Sequence, residues 1–220
     1  MKLLLPLEDR ETFIGQVNSF LPEDIKVQAM TKVSKGFNAK NQCTRREYHY
    51  MLPTFALMPF QQAQQHLADA YIAQGPIVGG GYEGGYVDPN SSKCLNRASL
   101  EQVRPHFVPY RINASQLDIF QEALRKYEGT HTYHNFTTGK DSSEANSKRY
   151  ILSFTCSPPS IDENTGLEWL QLSVLGQSFL LNQIRKMVGL AIDVARGYTS
   201  METIDKAFAP LNKVCINSKD

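Results

Sequence analysis

Apolar and polar positions recur along this chain with two periods, near 3.6 and near 2, and together they mark out its elements. Over Asp9 to Phe20 the helical period places Phe13, Val17 and Phe20 on one face, with Asp9 as a natural N-cap and Pro22 as the stop. Ile25 to Met30 alternates apolar and polar, which predicts a half-buried strand. Arg46 to Leu52 alternates in the same way and is closed by Pro53. Helical spacing returns over Phe60 to Gln74, with Ala63, Leu67, Ala70 and Tyr71 on one side. It returns again over Ser115 to Tyr127, where Leu117, Phe120 and Leu124 point inward, Ser115 is the N-cap and Gly129 the stop. Arg149 to Thr155 and Glu168 to Leu175 read as strands. A long helix from about Ser178 to Arg196, ended by Gly197, and a short one from Met201 to Phe208 complete the pattern. Strands and helices alternate without a strict βαβ rhythm, so the expected architecture is a mixed sheet covered by helices.

Composition changes this picture little. With 220 residues, 41% hydrophobic and 20% charged, the chain can bury a core as one large domain or two small ones. No apolar run reaches the roughly 20 residues that cross a bilayer. The longest, Phe179 to Ala195, is broken by Asn182, Gln183, Arg185, Lys186 and Asp193 and reads as a core helix, so no membrane partner is expected. The opening Met1 to Pro6 is too short for a signal peptide. Cys43, Cys94, Cys156 and Cys215 lie far apart with no Cys-x-x-Cys pair, which suits reduced thiols inside a cell. Gly79, Gly80, Gly81, Gly84 and Gly85 fall in a stretch with no Lys-Ser/Thr ending, so residues 75–97 are expected to form an exposed Gly-rich insertion and not a phosphate loop.

Charge distribution says more than the net +1. Lys32, Lys35, Lys40, Arg45 and Arg46 follow one another with no acidic residue between, a patch that could meet phosphates or stay a solvated loop. Arg46, Tyr48 and Tyr50 share one face of their strand, which suits either stacked bases bordered by phosphates or a sheet face under a helix. Arg185 falls with Leu181, Val188 and Ile192 on one predicted helix face. A guanidinium on an apolar stripe must either snorkel to water or meet a carboxylate or phosphate. His131 and His134 are spaced three apart, but no Cys or carboxylate cluster completes a metal shell, so no metal is expected. No Gly-x-Ser-x-Gly elbow supports a hydrolase.

Three stretches, in order, resemble one family. Lys35-Gly36-Phe37-Asn38-Ala39-Lys40-Asn41-Gln42-Cys43 runs into Arg46-Glu47-Tyr48-His49-Tyr50 and Leu52-Pro53; Tyr127-Glu128-Gly129-Thr130-His131 precedes His134-Asn135-Phe136-Thr137; and Gly176-Gln177-Ser178-Phe179 leads to Gln183-Ile184-Arg185-Lys186-Met187-Val188-Gly189. Together they are similar to the eukaryotic tRNA pseudouridine synthases of the tRNA pseudouridine synthase I group. The resemblance implies an α+β fold with a mainly antiparallel sheet covered by helices. It also implies isomerisation of uridine to pseudouridine in RNA through a flipped base, tRNA and possibly other RNAs as partners, no cofactor, and a nuclear or mitochondrial location. By motif position Tyr48 corresponds to the ring beside the flipped base, with Tyr50 as the alternative, and Arg185 to the partner of the family's nucleophilic aspartate. Lys35, Lys40, Arg45, Arg46 and Tyr50 become candidate RNA contacts, joined by His134 as a wall of the pocket.

One element of the family pattern is missing. The aspartate lies in an Arg-Thr-Asp-x-Gly-Val motif, and no aspartate of this chain is followed by x-Gly-Val. The expectation is therefore that residues 1–220 form part of a catalytic domain whose N-terminal half, with the nucleophile, lies outside this sequence. A non-catalytic RNA-binding protein that keeps the fold is the alternative. Oligomeric state is left open by the sequence.

Overall fold

The computed structural model describes residues 10–59, 61–66, 69, 104–210 and 216, and they fall in two compact units, Met1–Thr44 and Arg45–Asp220. In the first unit, α1 (Arg10–Ser19) forms where the helical period predicts it, but none of its residues is fully buried. Phe13 and Val17 are half-buried on one side. Phe20 lies past the helix end and is 88% exposed, so it does not share their face as expected. The strand predicted over Ile25 to Met30 is absent. A strand needs a neighbour for its backbone groups, and here the Asn18 side chain takes that place: its Nδ2 donates to Val27 O at 3.0 Å and its Oδ1 accepts from Val27 N–H at 2.7 Å. One carboxamide serves a single residue, and the alternation on either side stays coil.

The second unit is an antiparallel sheet with helices packed on it. β1 (Arg46–Pro53), β2 (Gly129–Thr132), β3 (Lys148–Cys156), β4 (Ser160–Ile161) and β5 (Glu168–Gly176) assemble in the order β1-β5-β3-β2, with β4 also pairing β5. Every pairing among the described residues is antiparallel, so the sheet is α+β in class with no parallel component there. β5 alternates buried and half-exposed along its length, apart from the exposed Gln171. Leu170, Leu172 and Val174 line the buried side, joined there by Leu52 from β1 and by Ile151 and Phe154 from β3. α2 (Ala114–Arg125) and α3 (Gln183–Ala195) bring Phe120, Ala123, Leu124, Met187, Val188, Leu190, Ala191 and Val194 to the same core, and α4 (Glu202–Phe208) adds Ile204 and Ala207. On the other side of the sheet Ser173 donates to Glu47 Oε1 at 2.9 Å and Gln171 Nε2 lies 3.0 Å from His49 Nδ1, while Trp169 packs against a second apolar cluster of Met58, Phe107, Tyr110 and Leu167.

Helix ends differ from the sequence expectation in two places. Asn113, not Ser115, caps α2, accepting the Gln116 N–H at 2.8 Å. α3 starts at Gln183, five residues after Ser178, and is preceded by Asn182 at φ 60°, a left-handed conformation that asparagine tolerates better than most side chains. Only residues 61–66 and 69 of the helix expected over Phe60 to Gln74 are described, and they are helical. The Gly-rich stretch at 75–97, with Cys94, lies outside the described residues. Among the described residues no helix is long and apolar enough to cross a membrane.

Buried polar groups tie the layers together. Gln116 accepts from Tyr110 Oη at 2.8 Å and donates through Nε2 to Leu57 O, and at 3.4 Å to Ala195 O, so one amide links the start of α2, the turn after β1 and the end of α3. Tyr127 Oη donates to Met187 O at 3.0 Å and Tyr133 Oη to Tyr127 O at 2.6 Å. Burial above all, and then the Glu168 carboxylate, push the Tyr110 phenol up to about 12, and burial also raises Tyr127 and Tyr133. A phenol whose folded value exceeds its unfolded one stabilises the fold below the unfolded value, and that contribution is lost as pH climbs through the folded value. The urea midpoint should therefore fall as pH rises from 10 towards about 12, the window set by Tyr110. Unfolding the chain within that window should release protons and raise tyrosinate absorbance. An absorbance unchanged by urea there would show that these phenols are not shielded.

Candidate active site

The register of β1 on β5 decides where its tyrosines go. Tyr48 lies opposite Val174, Tyr50 opposite Leu172 and Leu52 opposite Leu170, so all three side chains stand on the core side of the sheet. Leu52 is buried beneath the helices; Tyr50 and Tyr48 are 37% and 45% exposed. β1 ends the described sheet, so these rings form a half-open wall beside the helix layer. The shared face expected for Arg46, Tyr48 and Tyr50 is the face the register produces.

A short turn, Gln177 to Asn182, carries the chain from the end of β5 to α3, and it passes beside Tyr48. Phe179 meets the Tyr48 ring edge-on, with centroids 5.4 Å apart and planes at 87°. Hydrogen bonds hold the turn from both sides. Gln177 N–H donates to Tyr150 O at 3.1 Å and Arg46 Nη1 to Gln177 O at 2.9 Å. Thr137 Oγ1 donates to Leu181 O at 3.0 Å, and Leu180 N–H donates to Gln183 Oε1 at 2.7 Å. Gln183 itself is fully buried.

Arg185 departs from the expected environment. It is exposed in the first turn of α3, and Leu181, its supposed apolar neighbour, precedes the helix and is 73% exposed. The apolar stripe runs instead through Met187, Val188, Leu190, Ala191 and Val194. Lys186 accounts for the rotation of the helix: its Nζ donates to Asn135 O at 3.4 Å and Thr137 O at 3.2 Å, which turns residue 186 towards the protein and residue 185 outward.

His134 lies inside the fold. It is 8% exposed, its Nδ1 lies 3.3 Å from Thr132 O, and its Nε2 lies 3.1 Å from Asn135 Nδ2, whose amide also donates to Ala207 O at 2.9 Å. A ring with both nitrogens turned to protein fastens the segment that carries it. Of the cations, Lys35 and Lys40 are exposed in the first unit, around a turn whose Asn38 Oδ1 accepts the Lys40 and Asn41 N–H groups. Arg45 is exposed and Arg46 half-buried at the start of the second unit. The basic run is thus divided between the two units. Gly176 and Phe179 stand in the third family-like stretch, where sequence reasoning gives neither a role; the signal for them is a glycine three residues before an aromatic at a strand end. Among the described residues no group of three or more His, Cys, Asp or Glu is placed to hold a metal ion.

Comparison with known proteins bears on this wall. Residues 123–217 match the family model described as tRNA pseudouridine synthase. Over 94% of its length the chain is 30% identical to tRNA pseudouridine synthase 1 of Kluyveromyces lactis, covering 44% of that protein. It is 32% identical over 90% of its length to the pseudouridylate synthase 1 homolog of Mus musculus, covering 37%, and 30% identical over 89% to tRNA pseudouridine synthase 2 of Schizosaccharomyces pombe, covering 53%. The chain spans about half the length, or less, of these curated relatives. By sequence, it belongs with the tRNA pseudouridine synthases.

The two neighbouring cations of α3 should behave differently. Replacing Lys186 with Met leaves two carbonyls without their donor and should cost about 1–2 kcal/mol in urea unfolding. Replacing the exposed Arg185 with Ala should change it by no more than about 0.5 kcal/mol. Equal losses would mean that Arg185 is held in the fold as firmly as Lys186.

Proposed function

We propose that this chain, a relative of the tRNA pseudouridine synthases over nine-tenths of its length, supplies the tyrosine wall and the arginine of a site that isomerises uridine to pseudouridine in tRNA. The observation that carries the reading is Tyr48: a ring half-open to solvent at the sheet edge, backed by Phe179, in the strand whose motif resembles the family's. A base extruded from its stack needs a flat apolar surface on one side and solvent access on the other. Tyr48 offers both, and its phenol can assist removal of the proton at C5 once the base has turned and rejoined the sugar through that carbon.

Arg185 suits the second role for a reason other than the one expected from sequence. It is not buried and in need of rescue; it is displayed in the first turn of a 13-residue helix. A cation there works against the positive end of the helix dipole, and a carboxylate brought beside it would be attracted to the guanidinium and the helix terminus together. The aspartate of an Arg-Thr-Asp-x-Gly-Val motif is such a carboxylate, and no aspartate of this chain stands in that sequence context. Lys35, Lys40, Arg45 and Arg46 would hold phosphates and position the RNA without reading bases.

The test compares the full-length protein with the 220-residue chain. On unmodified tRNA transcripts the full-length protein should form pseudouridine, measured by nucleoside analysis after digestion, and the chain alone should form none. Tyr48→Phe in the full-length protein should lower the rate by about 10²-fold or more. Pseudouridine formed by the chain alone would disprove the need for an outside carboxylate. RNA binding without conversion by the full-length protein would instead mark a binding module. Separately, replacing Arg45 and Arg46 with Ala should reduce the slope of log binding constant against log salt by about one for each phosphate no longer neutralised. An unaltered slope removes both from the RNA interface.

A further inference from the structure

Gly176 is the last residue of β5 and pairs with Arg46 and Ile151. Its pleat position aims the place of its missing side chain to the core side of the sheet, two residues on from Val174, the partner of Tyr48. That place is occupied. A Cβ built on Gly176 would stand 2.7 Å from Phe179 Cζ and 3.2 Å from Tyr150 O. The tip of the Phe179 ring lies where any other residue would put its first carbon, and its edge-to-face contact with Tyr48 follows from that closeness. We propose that Gly176 and Phe179 are positioning residues for Tyr48: the absent side chain at 176 lets the Phe179 ring fold back onto the sheet, and the ring fixes the direction in which Tyr48 meets the substrate. This inference rests on the reading of Tyr48 as the ring beside the flipped base.

The device answers a problem set by the fold. Tyr48 stands on the outermost described strand, so sheet neighbours steady it from β5 alone, and nearly half of its surface is open. A side chain in that position samples more than one rotamer unless something is packed against it. Phe179 supplies that support from a turn that is itself held by bonds to Arg46, Tyr150 and Thr137 before it meets α3. The placement of Tyr48 is thereby coupled to β3, to the segment at Thr137 and to α3 through one aromatic contact. A ring displaced by about an ångström from its productive geometry costs rate far more than it costs affinity.

Two variants of the full-length protein test this. Gly176→Ala adds one carbon whose nearest neighbour is the far end of the Phe179 side chain, so the ring is what must yield most, and an unchanged urea midpoint shows that the backbone at Tyr150 O, 3.2 Å away, has adjusted without loss of the fold. Phe179→Leu removes the ring edge while leaving an apolar side chain. In both, kcat for pseudouridine formation should fall between about tenfold and a hundredfold with KM nearly unchanged. The double variant should be no slower than Phe179→Leu alone, because a leucine no longer meets the added carbon. In protein labelled with fluorotyrosine, the Tyr48 resonance, identified by its loss in Tyr48→Phe, should move in both single variants. Unchanged kcat in both, a loss that appears only in KM, or a Tyr48 resonance that stays in place overturns the inference. If the unmodified full-length protein makes no pseudouridine, the functional reading is what fails, and the resonance alone then decides whether Phe179 sets the Tyr48 ring.

Discussion

The central strand β5 governs this molecule. It pairs on both edges, with β1 along one and β3 and β4 along the other, and its alternate residues Leu170, Leu172 and Val174 point into the core. Burying those three commits one side of the sheet to the helices, because the strand's pleat leaves no choice of which neighbours lie beside them. Leu52, Tyr50 and Tyr48 follow on β1, Ile151 and Phe154 on β3. Burial on that side then fades along β1, from covered Leu52 to half-open Tyr48, as the strand passes beyond the helix layer. The candidate site is the place where core packing ends and the same face continues.

The helix layer is held at its polar points as firmly as by apolar burial. Gln116 joins three segments, Tyr127 and Tyr133 hand hydrogen bonds from α3 to the end of α2 and on to the loop after β2, and Asn135 reaches α4. Each of these groups is buried, and leaving any of them unmatched would cost more than forming the bond contributes. This explains why the second family-like block, from Tyr127 to Thr137, is dense in polar and aromatic side chains. Its work is to anchor the turn that leads into α3. His134 belongs to that anchor.

Arg185 and Lys186 show how one residue of helical phase separates an exposed cation from one held against the fold. Adjacent positions on a helix differ by about 100°. The carbonyls of Asn135 and Thr137 take Lys186, and the rotation that serves it sends Arg185 outward, after the turn that places Phe179 against Tyr48. A single geometric choice thus turns Lys186 inward and Arg185 outward.

Much of this was legible in the residues. Alternation along Arg46 to Leu52 determined a strand and the shared face of Arg46, Tyr48 and Tyr50, because a period of two admits only one pairing of side chain to face. Arg149 to Thr155 and Glu168 to Leu175 were legible as strands, but the bulge between Ile151 and Ser153 that lets both Ile151 and Phe154 reach the core was not. Helical spacing determined α2 and most of α3, and ordered motifs pointed to the family. Tertiary structure decided the rest. The pattern at Ile25 to Met30 suited a strand, but no neighbouring strand met it and Asn18 bound its backbone instead. Ser178 to Asn182 continued the helical spacing of α3, yet the chain had to turn there to pass from the end of β5 to the helix layer, and that turn removed Leu181 from the face expected for Arg185. Period reports which residues can share a face; whether a partner covers that face depends on segments distant in sequence. The meeting of Phe179 with Gly176 and Tyr48 joins a strand end, a turn and an edge strand far apart along the chain, as Arg46 and Gln177 do with a separation of 131. Only the folded sheet creates it.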